Sequence, residues 1–137
     1  MTNLRTYLNE IDNAIFRPQG PISVIQEITA LQHVMASKHA NPAILVNQPR
    51  LANGKISETP VLTNIFASRE LSAKALGIDN HRNSAKALSN IVTKAIDPIK
   101  IDPKTAPVRK VIYQNEQADL LQLPALRQHE GDAGHYV

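Results

Sequence analysis

Between Thr59 and Leu71 a β-type run passes straight into a helix start, and this junction constrains the fold more than any other stretch of the chain. Val61, Ile65 and Phe66 are β-branched or aromatic and Thr63 tolerates a pleated backbone, so residues 60–66 are predicted as a strand. Ser68 is a good N-cap for a short helix running to Gly77. A strand feeding a capped helix is an α/β unit. With the earlier apolar run Ala43-Ile44-Leu45-Val46 it predicts two neighbouring strands in one small sheet.

The rest of the chain supplies the covering helices. Leu4, Leu8, Ile11 and Ile15 recur at helical spacing opposite Arg5, Asn9, Glu10 and Asp12, which predicts an amphipathic helix over 3–14 capped by Thr2. Phe16 to Pro21, with two prolines and a glycine, breaks it into a short extended connection. Ser23-Val24-Ile25-Gln26 has the form of a capping box, and Val24, Ile25, Ile28, Leu31 and Met35 continue at helical spacing to about Ser37. The strand 43–47 follows, then a loop or hairpin-like excursion from Pro49 to Glu58 around Asn53-Gly54. After Gly77, Leu88, Ile91, Val92, Ala95 and Ile96 form a regular stripe that predicts a helix over 84–96. Pro98, Pro103 and Pro107 mark an extended connector, Val108 to Tyr113 is predicted as a further strand, and Ala118 to Pro124 as one helical turn before a polar tail. The expected class is α/β (α+β), a small mixed sheet packed by about four helices with an extended C-terminal tail. Residues 1–107 are expected to form the α/β domain, and 108–137 a strand and tail leading away from it.

Composition removes several functions. The 137 residues fit one domain, short for an enzyme that must also enclose a cofactor. There is no Cys, hence no disulfide framework, thiolate nucleophile or Cys-based zinc site, and a cytoplasmic chain is expected. No stretch approaches the roughly 20 apolar residues needed to span a bilayer, so no membrane is expected. The net charge of +3 comes from scattered Lys and Arg, and with 4% aromatic residues nothing builds a base-stacking platform. No nucleic-acid partner is expected.

The polar side chains give no catalytic set. His129 and His135 flank Glu130 and Asp132, a group that can hold a divalent metal. The preferred reading is a solvated or partner-contacting loop in which Gly131 and Gly134 serve turns and Asp132 bonds local amides, and no metal site is assigned. His33 and His39 end the second helix, where a cation complements its dipole, and His81 lies in a capping loop. Glu130 with Asp132, and Glu116 with Asp119, lack the apolar surroundings that raise a carboxyl pKa. Asn53-Gly54-Lys55 is not a phosphate loop, because Ile56 follows Lys55. Lys100, Lys104, Arg109 and Lys110 are read as a solvated linker, and Arg69 as a cation needing a carboxylate such as Glu70 or a partner's acid at a helix start.

Four stretches resemble the start of UbiD-type decarboxylases. Pro60-Val61-Leu62-Thr63-Asn64-Ile65-Phe66-Ala67-Ser68-Arg69 is similar to the family's "PVltNlFGSR", Leu4-Arg5-Thr6-Tyr7-Leu8 to "LRsfL", and Asn41-Pro42-Ala43-Ile44-Leu45-Val46 to "gPALLFEN". The tail from Leu123-Pro124 to His129-Glu130-Gly131-Asp132-Ala133-Gly134-His135-Tyr136-Val137 is similar to "LPi…h.GDgG.Yit". Ala67 and Ala133 replace glycines of the pattern, and His135 its usual Pro, Arg or Lys, which bears on the backbone shape of those loops.

The resemblance implies the N-terminal portion of such an enzyme. It implies prenylated FMN, Mn²⁺ or Mg²⁺, and K⁺ in the complete enzyme, none of them on this chain, and no position here matches the family's metal ligands or its Glu-Arg-Glu catalytic set. The expected role is a scaffold part or subunit of a carboxy-lyase that reversibly decarboxylates an aromatic or α,β-unsaturated carboxylic acid, not catalytic alone. Its expected partner is a second polypeptide carrying the flavin-binding and C-terminal domains, or another copy of itself, met through the tail at Leu123, His135 and Tyr136, with Leu120, Leu121 and Leu126 buried only in the complex. The competing reading is a non-catalytic interaction or assembly module derived from the same domain.

Overall fold

The computed structural model describes residues 3–93 and 97–134. The elements run α1 (Leu4–Glu10), β1 (Ile15–Phe16), β2 (Ile22–Ser23), α2 (Glu27–Ser37), β3 (Ala43–Val46), β4 (Pro49–Arg50), β5 (Val61–Thr63), α3 (Arg69–Ala75) and α4 (Ser84–Val92), with 3-10 turns between and after them. This is the expected α/β class, with a small mixed sheet and an extended C-terminal stretch.

Strand β3 is the centre of the larger sheet. It pairs in parallel with β1 through Ile15–Ala43 and Phe16–Ile44, and antiparallel with β5 through Ile44–Thr63, Leu45–Leu62 and Val46–Val61. The parallel pairing is possible because α2 carries the chain back between β1 and β3. Successive side chains of a strand face opposite sides, so β3 feeds two cores. Ala43 joins Tyr7, Ile11 and Leu71, while Ile44 and Val46 join Ile28 and Val61. The sheet is therefore a middle layer, with α1 and α3 on one face and α2 on the other. That double coverage is why β3 is apolar at all four positions rather than alternating. A second, two-stranded parallel sheet pairs β2 with β4 through Ile22–Pro49 and Ser23–Arg50.

Helix ends follow local chemistry. Asn3 caps α1 by accepting the Thr6 amide at 3.0 Å, and Ser68 caps α3 by accepting that of Leu71 at 3.1 Å. Both α2 and α3 close with a left-handed residue and a paired set of reverse hydrogen bonds. His39 (φ 58°) lets Ala40 N–H reach the Met35 carbonyl, and Gly77 (φ 67°) lets Ile78 N–H reach that of Ala73. His39 thus ends its helix through its backbone conformation.

Several expectations are corrected. The strand predicted over 60–66 stops at Thr63, because Asn64 adopts φ 62° and turns the chain into the α3 approach. The first helix ends at Glu10; Asp12–Ala14 form a 3-10 turn and Ile15 belongs to β1. Its buried face is rotated from the predicted stripe, with Leu4 54% exposed and Tyr7 4%. Ser23 does not cap α2: its hydroxyl accepts the Ile25 amide, Glu27 accepts the Ser23 amide at 2.6 Å, and Gln26 at φ 62° bends the chain so that the helix begins at Glu27. Residues 108–113 form no strand. Pro107–Arg109 make a 3-10 turn and Val108, Val111, Ile112 and Tyr113 are exposed, since no neighbouring strand is there to pair with them. The stripe over 84–96 forms a helix as far as Val92, and Ala95 and Ile96, like Thr2, lie outside the described residues.

Candidate functional site

The junction that organises the sequence also organises the structure. Tyr7 is buried in α1, and its hydroxyl sits 2.8 Å from the carbonyl oxygen of Ile65 and 3.1 Å from that of Leu71, joining α1 to both sides of the β5–α3 turn. Burial raises its pKa. Asn64 holds the turn from within, donating from Nδ2 to the Pro42 carbonyl at 2.9 Å beside the start of β3. Glu70 lies 3.6 Å from His81 and is held below the ordinary glutamate range by its own backbone N–H, then by the Ser68 hydroxyl, with His81 and Arg69 adding smaller attractions. These contacts shape a turn. No described Asp, Glu, His, Lys or Arg is fully buried.

Residues 124–132 fold back onto the body. Pro124 is buried and Leu126 packs against the Ile28, Ile44, Val46 and Val61 cluster, which corrects the expectation that Leu126 awaits a partner. The main chain of Arg127 bridges the α2 approach: Gln26 N–H donates to the Arg127 carbonyl at 2.8 Å and Arg127 N–H to that of Val24 at 3.0 Å. Asp132 accepts the Gln128 and His129 amides, each at 2.8 Å, as expected for a residue bonding local amides. These bonds, the His129 amide first, hold its carboxyl below the ordinary aspartate range. Arg127 donates to the Glu130 carbonyl at 2.6 Å. Among the described residues no three His, Cys, Asp or Glu side chains come together to hold a metal ion.

From Leu88 to Leu123 every described large apolar side chain is exposed, including Ile99 at 79%, Val108 at 89% and Leu121 at 78%. Together they make an exposed apolar flank along this segment. Lys100, Lys104, Arg109 and Lys110 are exposed on the same segment. Asp119 caps its last turn through the Leu121 amide at 2.9 Å, a structural use of that carboxylate. Two grooves border the segment. One of about 660 Å³ runs between the Leu51–Thr59 excursion and Tyr113 with Gln117–Leu123; another of about 390 Å³ separates β5 from Leu123, Pro124, Leu126 and Gln128. Leu123, at 39% exposure, stands in the wall of both. Tyr136 and His135 lie outside the described residues.

Sequence reasoning missed Tyr7, Asn64 and the return of Leu126. Tyr7 and Ile11 are one helical step apart, a spacing that signals the true buried face of α1. Asn is among the few residues suited to positive φ, which was the available signal at 64. The pairing of Arg127 with residues 24 and 26 has no local signature.

With this geometry in view, the comparisons are direct. Residues 11–92 match the family model described as the 3-octaprenyl-4-hydroxybenzoate carboxy-lyase N-terminal domain. The chain belongs to that family, the UbiD N-terminal domain. Among solved structures it is similar to an evolved dimeric form of the UbiD-class enzyme HmfF from Pelotomaculum thermopropionicum in complex with prFMN, with a TM-score of 0.77 and 27% identity over 96% of this chain and 29% of that one. It is also similar to HmfF of the same organism in complex with FMN, with a TM-score of 0.77 and 25% identity over 96% of this chain and 28% of that one. The chain spans less than a third of those enzymes.

The described residues do not by themselves fit a flavin or its metal. Neither groove presents the paired cations and backbone amides that grip a phosphate: Lys55 is the one basic residue in the larger groove and the smaller has none. The arrangement instead offers a folded body and an apolar flank.

Proposed function

We propose that this chain is the N-terminal scaffold of a UbiD-type carboxy-lyase, one that reversibly and non-oxidatively decarboxylates an aromatic or α,β-unsaturated carboxylic acid. The observation that carries the reading is the similarity of 96% of the chain to under a third of a prenylated-FMN enzyme. The flavin-binding and C-terminal domains lie outside these residues and hold the prenylated FMN, its divalent metal and potassium. Residues 1–107 are the body, and 108–137, with the apolar flank beginning at Leu88, carry the contacts to those domains. The exposed aliphatic side chains from Ile99 to Leu121 support this division of labour, because burying them needs a partner surface. The complex works in the cytoplasm.

Native mass spectrometry of the protein isolated from its source tests the reading. A flavin-sized mass held together with the flavin-binding portion is the expected result, and that assembly releases CO₂ from a carboxylic acid of the stated class. A bare folded monomer or a self-oligomer overturns it in favour of a free-standing assembly module.

A further inference from the structure

Both core clusters are built from residues 7–75, with Leu126 as the single later contributor. The chain leaves the body after α3, runs through the exposed stretch to Leu123, and returns at Pro124. What holds the return is separate from the contacts that build the rest of the body. It includes the burial of Pro124, the Leu126 side chain, the parallel bridge of Arg127 to Ile25 with its two main-chain bonds to Val24 and Gln26, and the Ser57 hydroxyl on the Gln122 carbonyl at 3.1 Å. Within the return, Asp132 ties the amides of Gln128 and His129, and Arg127 ties the carbonyl of Glu130. A segment with its own internal hydrogen bonds, reached only after a long exposed stretch, has the makings of an independent opening unit.

We propose that residues 124–132 are a clasp that opens and closes as a unit of its own, and that its closed state builds the groove against β5 and fixes the far end of the apolar segment. The geometry requires the second part. Pro124, Leu126 and Gln128 stand opposite β5 across the smaller groove, so releasing the clasp removes that side of it. The functional consequence rests on the partner-facing reading given above: a chain with an open clasp presents the segment from one anchored end instead of two. The clasp itself is a property of this chain alone.

Amide hydrogen exchange on the isolated chain tests it. In the wild-type protein the Gln26, Arg127, Gln128 and His129 amides are expected to exchange at least about tenfold faster than those of Ala43–Val46, through an opening that leaves the body folded. Leu126→Ala, which removes the packed side chain, and Arg127→Pro, which removes the donor to Val24, each accelerate the clasp amides that remain by a further factor of about ten or more while β3 stays within about twofold. Equal protection of clasp and β3 in the wild type, or parallel acceleration of both in the Arg127→Pro chain, overturns the proposal, because the return is then part of one cooperative unit. Unchanged clasp exchange in both variants overturns it as well. These readouts need no partner, so their failure is distinct from failure of the decarboxylase reading, which the native mass measurement decides.

Discussion

The Tyr7 hydroxyl lies 2.8 Å from the Ile65 carbonyl oxygen, joining residues 58 apart in sequence. Through this bond and the 3.1 Å approach to Leu71, the first helix is tied to the turn on which the α/β unit depends. Tyr7→Phe keeps the ring in its cluster and removes the donor. It is expected to lower stability by about 1–2 kcal/mol, since the two carbonyls it served lose their shared partner. Urea unfolding measures this as a lower midpoint with an unchanged slope.

Asn64 separates conformation from bonding. Asn64→Gly keeps access to positive φ and loses the bond to Pro42, whereas Asn64→Ala loses both. The alanine chain is expected to be the less stable of the two, by about 1 kcal/mol, in thermal or denaturant melts.

Acid acts on the return segment through Asp132. Its pKa is depressed, so the ionised form favours the folded turn; that contribution is present above the ordinary aspartate value of 3.8 and is lost as pH falls through the lower folded value. His129 and Arg127, the nearby cations, act in the same direction. The Gln128 and His129 amide proton shifts, followed by NMR, are expected to move together with a midpoint below 3.8, and Asp132→Ala abolishes that transition.

The apolar segment divides folding from assembly. Leu120→Asp and Leu121→Asp change side chains that are 77% and 78% exposed, so the isolated chain should keep its stability within about 0.5 kcal/mol. The same substitutions are expected to abolish the flavin-sized mass in native mass spectra.

How much of this was legible depends on whether a signal was local. β3 and the Val61–Thr63 strand stood out through apolar and β-branched runs, and Ser68 and Gly77 marked the ends of α3 by capping chemistry alone. β1, β2 and β4 are two residues long and show no periodicity; partners far along the chain create them. The misplaced strand at 108–113 is the reverse case, since β propensity without a neighbour to pair with makes no strand. Of the partner-contact residues expected from sequence, Leu123 stands at the border of both grooves, a position set by the fold-back beyond it rather than by its neighbours in sequence.

The late arrival of Leu126 in an otherwise early core also orders events on the ribosome. Synthesis runs from the N-terminus, and domains fold as their residues emerge. Once Ala75 is out, every other member of both clusters is available, so the layered body can form while the aliphatic stretch is still being made. That stretch then meets solvent with its near end already moored and its far end free until Arg127 reaches Val24 and Gln26. The interval between those two moments is when the nascent chain most needs protection from aggregation.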